Sequence, residues 1–137
     1  MYRSAGVLFI SKKTKRALFG LRGKNSSFSF TWDLFGGKLK ITEDILTGLG
    51  RELGEELGFD EIYIETLIPI NISENKKYKY YSFLAIIENE FLPDLNLEHE
   101  GFCWINIENW KSIRLHPKVK EFLDNPKLIE HIKKLVY

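Results

Sequence analysis

Residues 37–59 read GKLKITEDILTGLGRELGEELGF, and the reading of this stretch decides the fold. Leu46, Leu49, Leu53 and Leu57 recur at spacings of three and four, which lines up one apolar stripe on a helix and turns it toward a sheet. Thr42 is a good N-cap, Glu43 and Asp44 suit the positive end of the helix dipole, and Gly58 supplies a left-handed C-terminal stop. The stretch predicts a helix over residues 43–57. At about 100° per residue, Glu52, Glu55 and Glu56 project within an arc of roughly 100° beside the stripe. Three ionised carboxylates that close repel one another. They either splay into solvent as an ordinary charged face or gather around a hard cation such as Mg2+ or Mn2+.

Gly48, Gly50 and Gly54 lie inside this helix, where each costs up to about 1 kcal/mol relative to Ala if exposed. Gly48, one turn before Glu52, is expected to leave room for metal, water or phosphate. Gly50 and Gly54 are expected to let a neighbouring backbone approach.

Outward from the helix, residues 2–10 and 17–22 read as two strands of a hairpin around the Lys12-Lys13-Thr14-Lys15 turn. A polar loop then leads to Trp32-Asp33-Leu34-Phe35-Gly36-Gly37. Residues 61–70 and 78–87 read as strands separated by a turn over 71–77, and 102–107 as a further strand. Residues 117–123 and 126–135 read as helices with Pro in the first turn. With no repeat or linker, residues 1–137 are expected to form one α/β domain with a mixed sheet.

A net charge of +1 without acidic or basic blocks argues against a membrane surface or a dedicated nucleic-acid surface. Cys103 is the lone cysteine, so no disulfide forms within the chain, and a reducing, cytoplasmic setting is expected. The apolar run at 6–10 is too short for a signal-peptide core.

The fixed positions Gly37, Glu43, Arg51, Glu52, Leu53, Glu55, Glu56, Gly58 and Phe59 fill the pattern G-x5-E-x7-R-E-U-x-E-E-x-G-U, with U aliphatic or aromatic. In this the chain resembles the Nudix hydrolases. The resemblance implies an α/β/α sandwich with the box helix packed on a mixed sheet, and metal-dependent hydrolysis of a pyrophosphate bond in a nucleoside diphosphate derivative, with a nucleoside triphosphate or nucleotide sugar foremost. It implies Mg2+, with Mn2+ as an allowed substitute, held by Glu52, Glu55, Glu56 and a backbone carbonyl at Gly36 or Gly37. Arg51 is expected to orient the carboxylates and to pair with Glu43. A non-catalytic nucleotide-sensing module is the alternative, although such modules usually lose a box carboxylate. The expected partner is a small-molecule nucleotide substrate, and a homodimer is allowed for.

Outside the box, Glu98 stands six residues before Trp104, where many Nudix enzymes carry an acid serving as general base or further metal ligand; Glu100 is second in line, and Glu52 on the helix is the rival for the base. Arg22, like the Arg that many members carry at the end of this strand, is the leading phosphate contact, with Lys24, Lys38 and Lys40 as further basic groups. Trp32, Phe28, Phe30, Tyr78, Tyr80 and Tyr81 are candidates for stacking a base. Lys40, Thr42 and Phe35 depart from the Glu, Gly and Pro common in relatives. His99, His116 and His131 show no ligand spacing and read as structural.

Overall fold

Ala5 to Ser11 are buried without interruption, as a strand covered on both faces requires. They belong to β1 (Tyr2–Ser11), the middle strand of the sheet in a computed structural model that describes residues 2–58 and 64–137. β1 pairs in parallel with β6 (Tyr78–Ile87) along its whole length, and β6 pairs antiparallel with β5 (Thr66–Glu74). On its other side β1 meets β2 (Arg16–Arg22) at Ile10 and Ala17 and then diverges. The split takes in β4 (Phe35–Lys38), which pairs with Ser4 to Val7, and β3 (Trp32–Asp33), which pairs with Gly20 and Leu21. β7 (His99–Asn106) closes the far edge against β2.

Alternation along the strands sends Leu8 and Ile10 to one core and Val7 and Phe9 to the other. The first core is completed by α2 (Pro117–Leu123) and α3 (Pro126–Val136) through Val119, Phe122, Leu123, Ile132 and Val136. The second is completed by α1 (Ile45–Leu57) through Leu49, Leu53 and Leu57. The result is the expected α/β/α sandwich.

Several boundaries move, each for a local reason. The helix starts at Ile45 with Asp44, not Thr42, as its cap: Asp44 Oδ1 accepts from the Leu46 amide at 3.2 Å. Arg3 holds the preceding turn out of the helix by donating to the carbonyls of Lys40, Ile41 and Glu43, the last at 2.6 Å. Ile45 rather than Leu46 then faces the core, and Leu46 is 57% exposed. β5 runs on to Glu74 through a bulge between Pro69 and Asn71, so the turn expected over 71–77 shrinks to the few residues around Asn75, whose side chain accepts from Lys77 and Tyr78. The part of the expected strand at 61–63 lies outside the described residues. β7 begins at His99, not 102, and Ile107 starts a 3-10 turn.

The helical glycines part company. A Cβ on Gly50 or Gly54 would meet nothing, so no neighbouring backbone approaches there, contrary to the expectation. One on Gly36, whose φ is +149°, would overlap the Ala5 carbonyl across the β1–β4 pair. Gly50→Ala and Gly54→Ala should each raise the calorimetric melting temperature by about 2–5 °C, because Ala restricts the unfolded chain and suits an exposed helix. Gly36→Ala should lower it by about 5 °C or more. A fall in the Gly50 variant would mean that its face is covered.

Candidate active site

Arg51 gathers the acids of α1. Its Nε and Nη2 donate to both oxygens of Glu43, each at 3.0 Å, and Nη1 donates to Glu52 Oε1 at 3.0 Å and to Glu55 Oε1 at 3.5 Å. Nη2 also donates to the Lys38 carbonyl at 3.2 Å, tying the helix to the strand that carries the glycines. The Arg51 guanidinium, helped by the Lys40 backbone N–H, holds the Glu43 carboxyl down at about 2, and Glu43 in turn pushes Arg51 up. Gly48 leaves space for this fork: a Cβ there would collide with Leu39 and sit 2.7 Å from Glu43 Oε1. The room expected for metal or phosphate is filled by a side chain.

Glu52 lies against Gly37, where a Cβ would overlap its carboxylate and push it from this position. Glu56, one turn on, is 2% exposed, and its Oε2 has no hydrogen-bond partner. Burial pushes the Glu56 carboxyl up to about 9, with the negative charges of Glu98, Glu52 and Asp33 adding to it and the Gly36 backbone N–H offsetting part. Glu52 is raised too, chiefly by burial, against the pull of Arg51. Glu55 is 59% exposed and stands at the rim.

A cavity of about 480 Å3 opens over this floor. Gly36, Gly37 and Glu56 line it together with Arg22, Lys24, Glu98 and Glu100. Glu98 sits on an exposed turn set by Asn96, whose Oδ1 accepts from its amide at 2.9 Å, and Trp104 anchors the approach by donating to the Phe91 carbonyl at 3.2 Å. Arg22 reaches the cavity but is already engaged, donating to Asp33 Oδ2 at 2.9 Å and to the Ser27 carbonyl at 2.8 Å. A smaller cavity of about 210 Å3 shares Arg22, Asp33, Gly36 and Gly37 with the first and adds Tyr80, His116 and Lys118.

Two expected substrate contacts lie elsewhere. Lys38, which lines neither cavity, ends β4 with its Nζ over the Tyr2 ring at 4.8 Å, and Trp32 packs against the core under α2 and α3. Of the other aromatics, Tyr81 packs against the α1 core, Tyr78 lies under Lys118, and Phe28 meets His116 edge-on at 4.7 Å. His116 caps α2, its Nδ1 accepting from the Lys118 amide, and also lines the smaller cavity. His99 is not a distant structural histidine: it lines the large cavity, with Nδ1 3.6 Å from Glu56 Oε2. The sequence reading gave Asp33, Asn25 and Ser26 no role, yet they line the same cavity; the only signal for Asp33 was its place just before the glycine pair.

Among the described residues, no three acidic, His or Cys side chains stand close enough together to hold a metal ion as they are. The donor chemistry fits a divalent cation all the same. Glu52 and Glu56 are desolvated carboxylates, one with an orphaned oxygen, beside the cavity-lining glycines of β4.

A NUDIX domain family model matches residues 1–125. The chain belongs to the Nudix family. This Nudix chain is similar in fold to the Nudix hydrolase RenU from M. Smegmatis, with a TM-score of 0.78 at 16% identity over 98% of this chain and 86% of that one. It is similar also to the MutT protein from Methanosarcina mazei Go1, with a TM-score of 0.72 at 22% identity over 96% and 95%. A MutT structure from work on Aliivibrio salmonicida and Vibrio cholerae gives 0.71 at 16% identity over 97% and 98%. No curated protein matches the sequence.

The titration shifts predict an opposed pH response in chelator. Glu56 is raised when folded, so the unfolded chain ionises first and its contribution falls as pH rises from about 4.5 to about 9; Glu52 is raised too and acts in the same direction. Glu43 is depressed, so its contribution is present above about 4.5 and lost as pH falls toward 2. Glu56→Gln should raise the melting temperature at pH 8 by about 4 °C or more, and by less at pH 5. Equal gains at both pH values would mean that Glu56 ionises freely in the folded protein.

Proposed function

We propose that this Nudix domain hydrolyses the pyrophosphate bond of a nucleoside diphosphate derivative, a nucleoside triphosphate or nucleotide sugar foremost, with Mg2+ or Mn2+ held by Glu52, Glu55, Glu56 and a carbonyl at Gly36 or Gly37. The observation that carries the reading is the dry Glu56 carboxyl group, one oxygen of which has no hydrogen-bond partner, set beside the charges of Glu98 and Glu52 in a cavity that also holds basic side chains. Such a site is unfavourable until positive charge enters it. A bound divalent ion supplies that charge, neutralises the diphosphate and acidifies a bound water.

The chain's own residues have separable tasks. Arg51 is a positioning residue, because every contact it makes is to an acid or carbonyl of the box. Lys24, on the cavity wall and unpaired with any acid among the described residues, is the freer cation for a phosphate oxygen. Arg22 contributes through a guanidinium already oriented by Asp33 and Ser27. Glu52, one oxygen of which rests on Arg51, serves as a cation ligand, and Glu98 on the cavity wall accepts the water's proton, with Glu100 second in line. The smaller cavity beside Asp33 is where the remainder of the substrate extends, with Tyr80 and Lys118 on its wall.

Residues 1–137 work as one domain in this reading, in the cytoplasm, where a lone Cys103 is stable as a thiol. No helix among the described residues is long and apolar enough to cross a membrane.

Release of phosphate or nucleoside monophosphate from a panel of nucleotides should require Mg2+ and vanish with EDTA. Glu56→Gln should cut turnover by about 100-fold or more. Turnover of the best substrate undiminished in excess EDTA would sink the reading, and binding without cleavage across the panel would favour a nucleotide sensor. Glu52→Gln should weaken cation affinity and turnover together, whereas Glu98→Gln should lower turnover with cation affinity nearly unchanged. Full turnover in Glu98→Gln would pass the proton to another group.

A further inference from the structure

Buried polar atoms in folded proteins almost always find partners, and two in this cavity wall do not: Glu56 Oε2 and His99 Nδ1. They face each other at 3.6 Å, just beyond hydrogen-bond range, with side-chain exposures of 2% and 8%. A modest rotation of the carboxylate closes the gap.

The histidine's place is specified from several sides. Its ring lies against Phe35 with centroids 4.7 Å apart and planes inclined at 40°. A Cβ on Gly20 would come within 2.7 Å of both its Cδ2 and Phe35 Cζ, so the two rings sit side by side against β2 where residue 20 has no side chain. The register shift between Leu21 and Arg22 sets His99 across from Arg22. If packing against Phe35 were all that this position required, an apolar side chain would fill it without leaving a nitrogen dry and unpaired.

We infer that His99 is a positioning residue for Glu56: its Nδ1–H donates to Glu56 Oε2 and so fixes the other carboxylate oxygen toward the cavity. This rests on the proposed role of Glu56 as a cation ligand. Carboxylates that bind metal are usually themselves held by a hydrogen bond, and removing that support lowers metal affinity. His99 touches no ion itself; its effect passes through the rotamer of Glu56.

The test compares donor-free with donor-bearing replacements by Mn2+ titration of the free protein, with melting temperature measured in chelator. His99→Phe keeps the packing on Phe35 and lacks the donor; His99→Leu is a second donor-free variant, used where the larger ring overfills the site. His99→Asn places an N–H where Nδ1 stood. Both donor-free variants should bind Mn2+ about tenfold or more weakly while melting in chelator no lower than the parent, and His99→Asn should stay within about threefold of the parent. Parent-like Mn2+ affinity in a folded Phe or Leu variant would overturn the inference and leave the role of Glu56 intact. Equal weakening in the Asn variant would also overturn it, since packing rather than the donor would then set affinity. A parent protein that binds no Mn2+ would instead remove Glu56 as a ligand, and the inference with it.

Discussion

The Arg51 guanidinium is the interaction on which the site's arrangement depends. Three glutamates on one helix flank would repel each other and splay. A planar, permanently charged fork offsets that repulsion at Glu52 and Glu55 and ties in Glu43 from the turn before the helix. Its further bond to the Lys38 carbonyl sets the distance between α1 and the strand of Gly36 and Gly37. A lysine could not satisfy this geometry, because its point charge offers no second coplanar donor.

The sheet supplies the second constraint. Because β1 and β2 diverge after a single pair, β4 can enter between them and bring its glycines under the helix. Three close approaches then occur in one small region: Gly36 on the Ala5 carbonyl, Gly37 on Glu52, and Gly20 on His99 and Phe35. Each would be blocked by a Cβ. The cavity floor is therefore backbone, which is the surface needed where carbonyls and amides are to meet a ligand.

The cavity wall contrasts with the two apolar cores. Glu56 and His99 are desolvated without partners, and Phe28 and Phe30 hold positive φ on the neighbouring loop. Such features persist because the packing of Leu49, Leu53 and Leu57 on one face of the sheet, and of α2 and α3 on the other, outweighs them. Strain gathers where chemistry is proposed, and the cores carry the stability.

By itself the sequence determined what is local and periodic. The leucines at helical spacing located α1, Gly58 marked its end with a left-handed residue, and the spacing of Glu52, Glu55 and Glu56 put the acids on one flank. The prolines marked the starts of α2 and α3. What depends on which strand lies beside which was settled only by tertiary structure. Arg3 delays the helix to Ile45 from 40 residues away, the β4 register turns Lys38 onto Tyr2, Trp32 is drawn into the core, and a bulge brings His99 to Glu56. A one-residue change of register reverses the face of every side chain on a strand. No spacing within a single segment encodes that choice, whereas a helix repeats its geometry at every turn and can be read from its own residues.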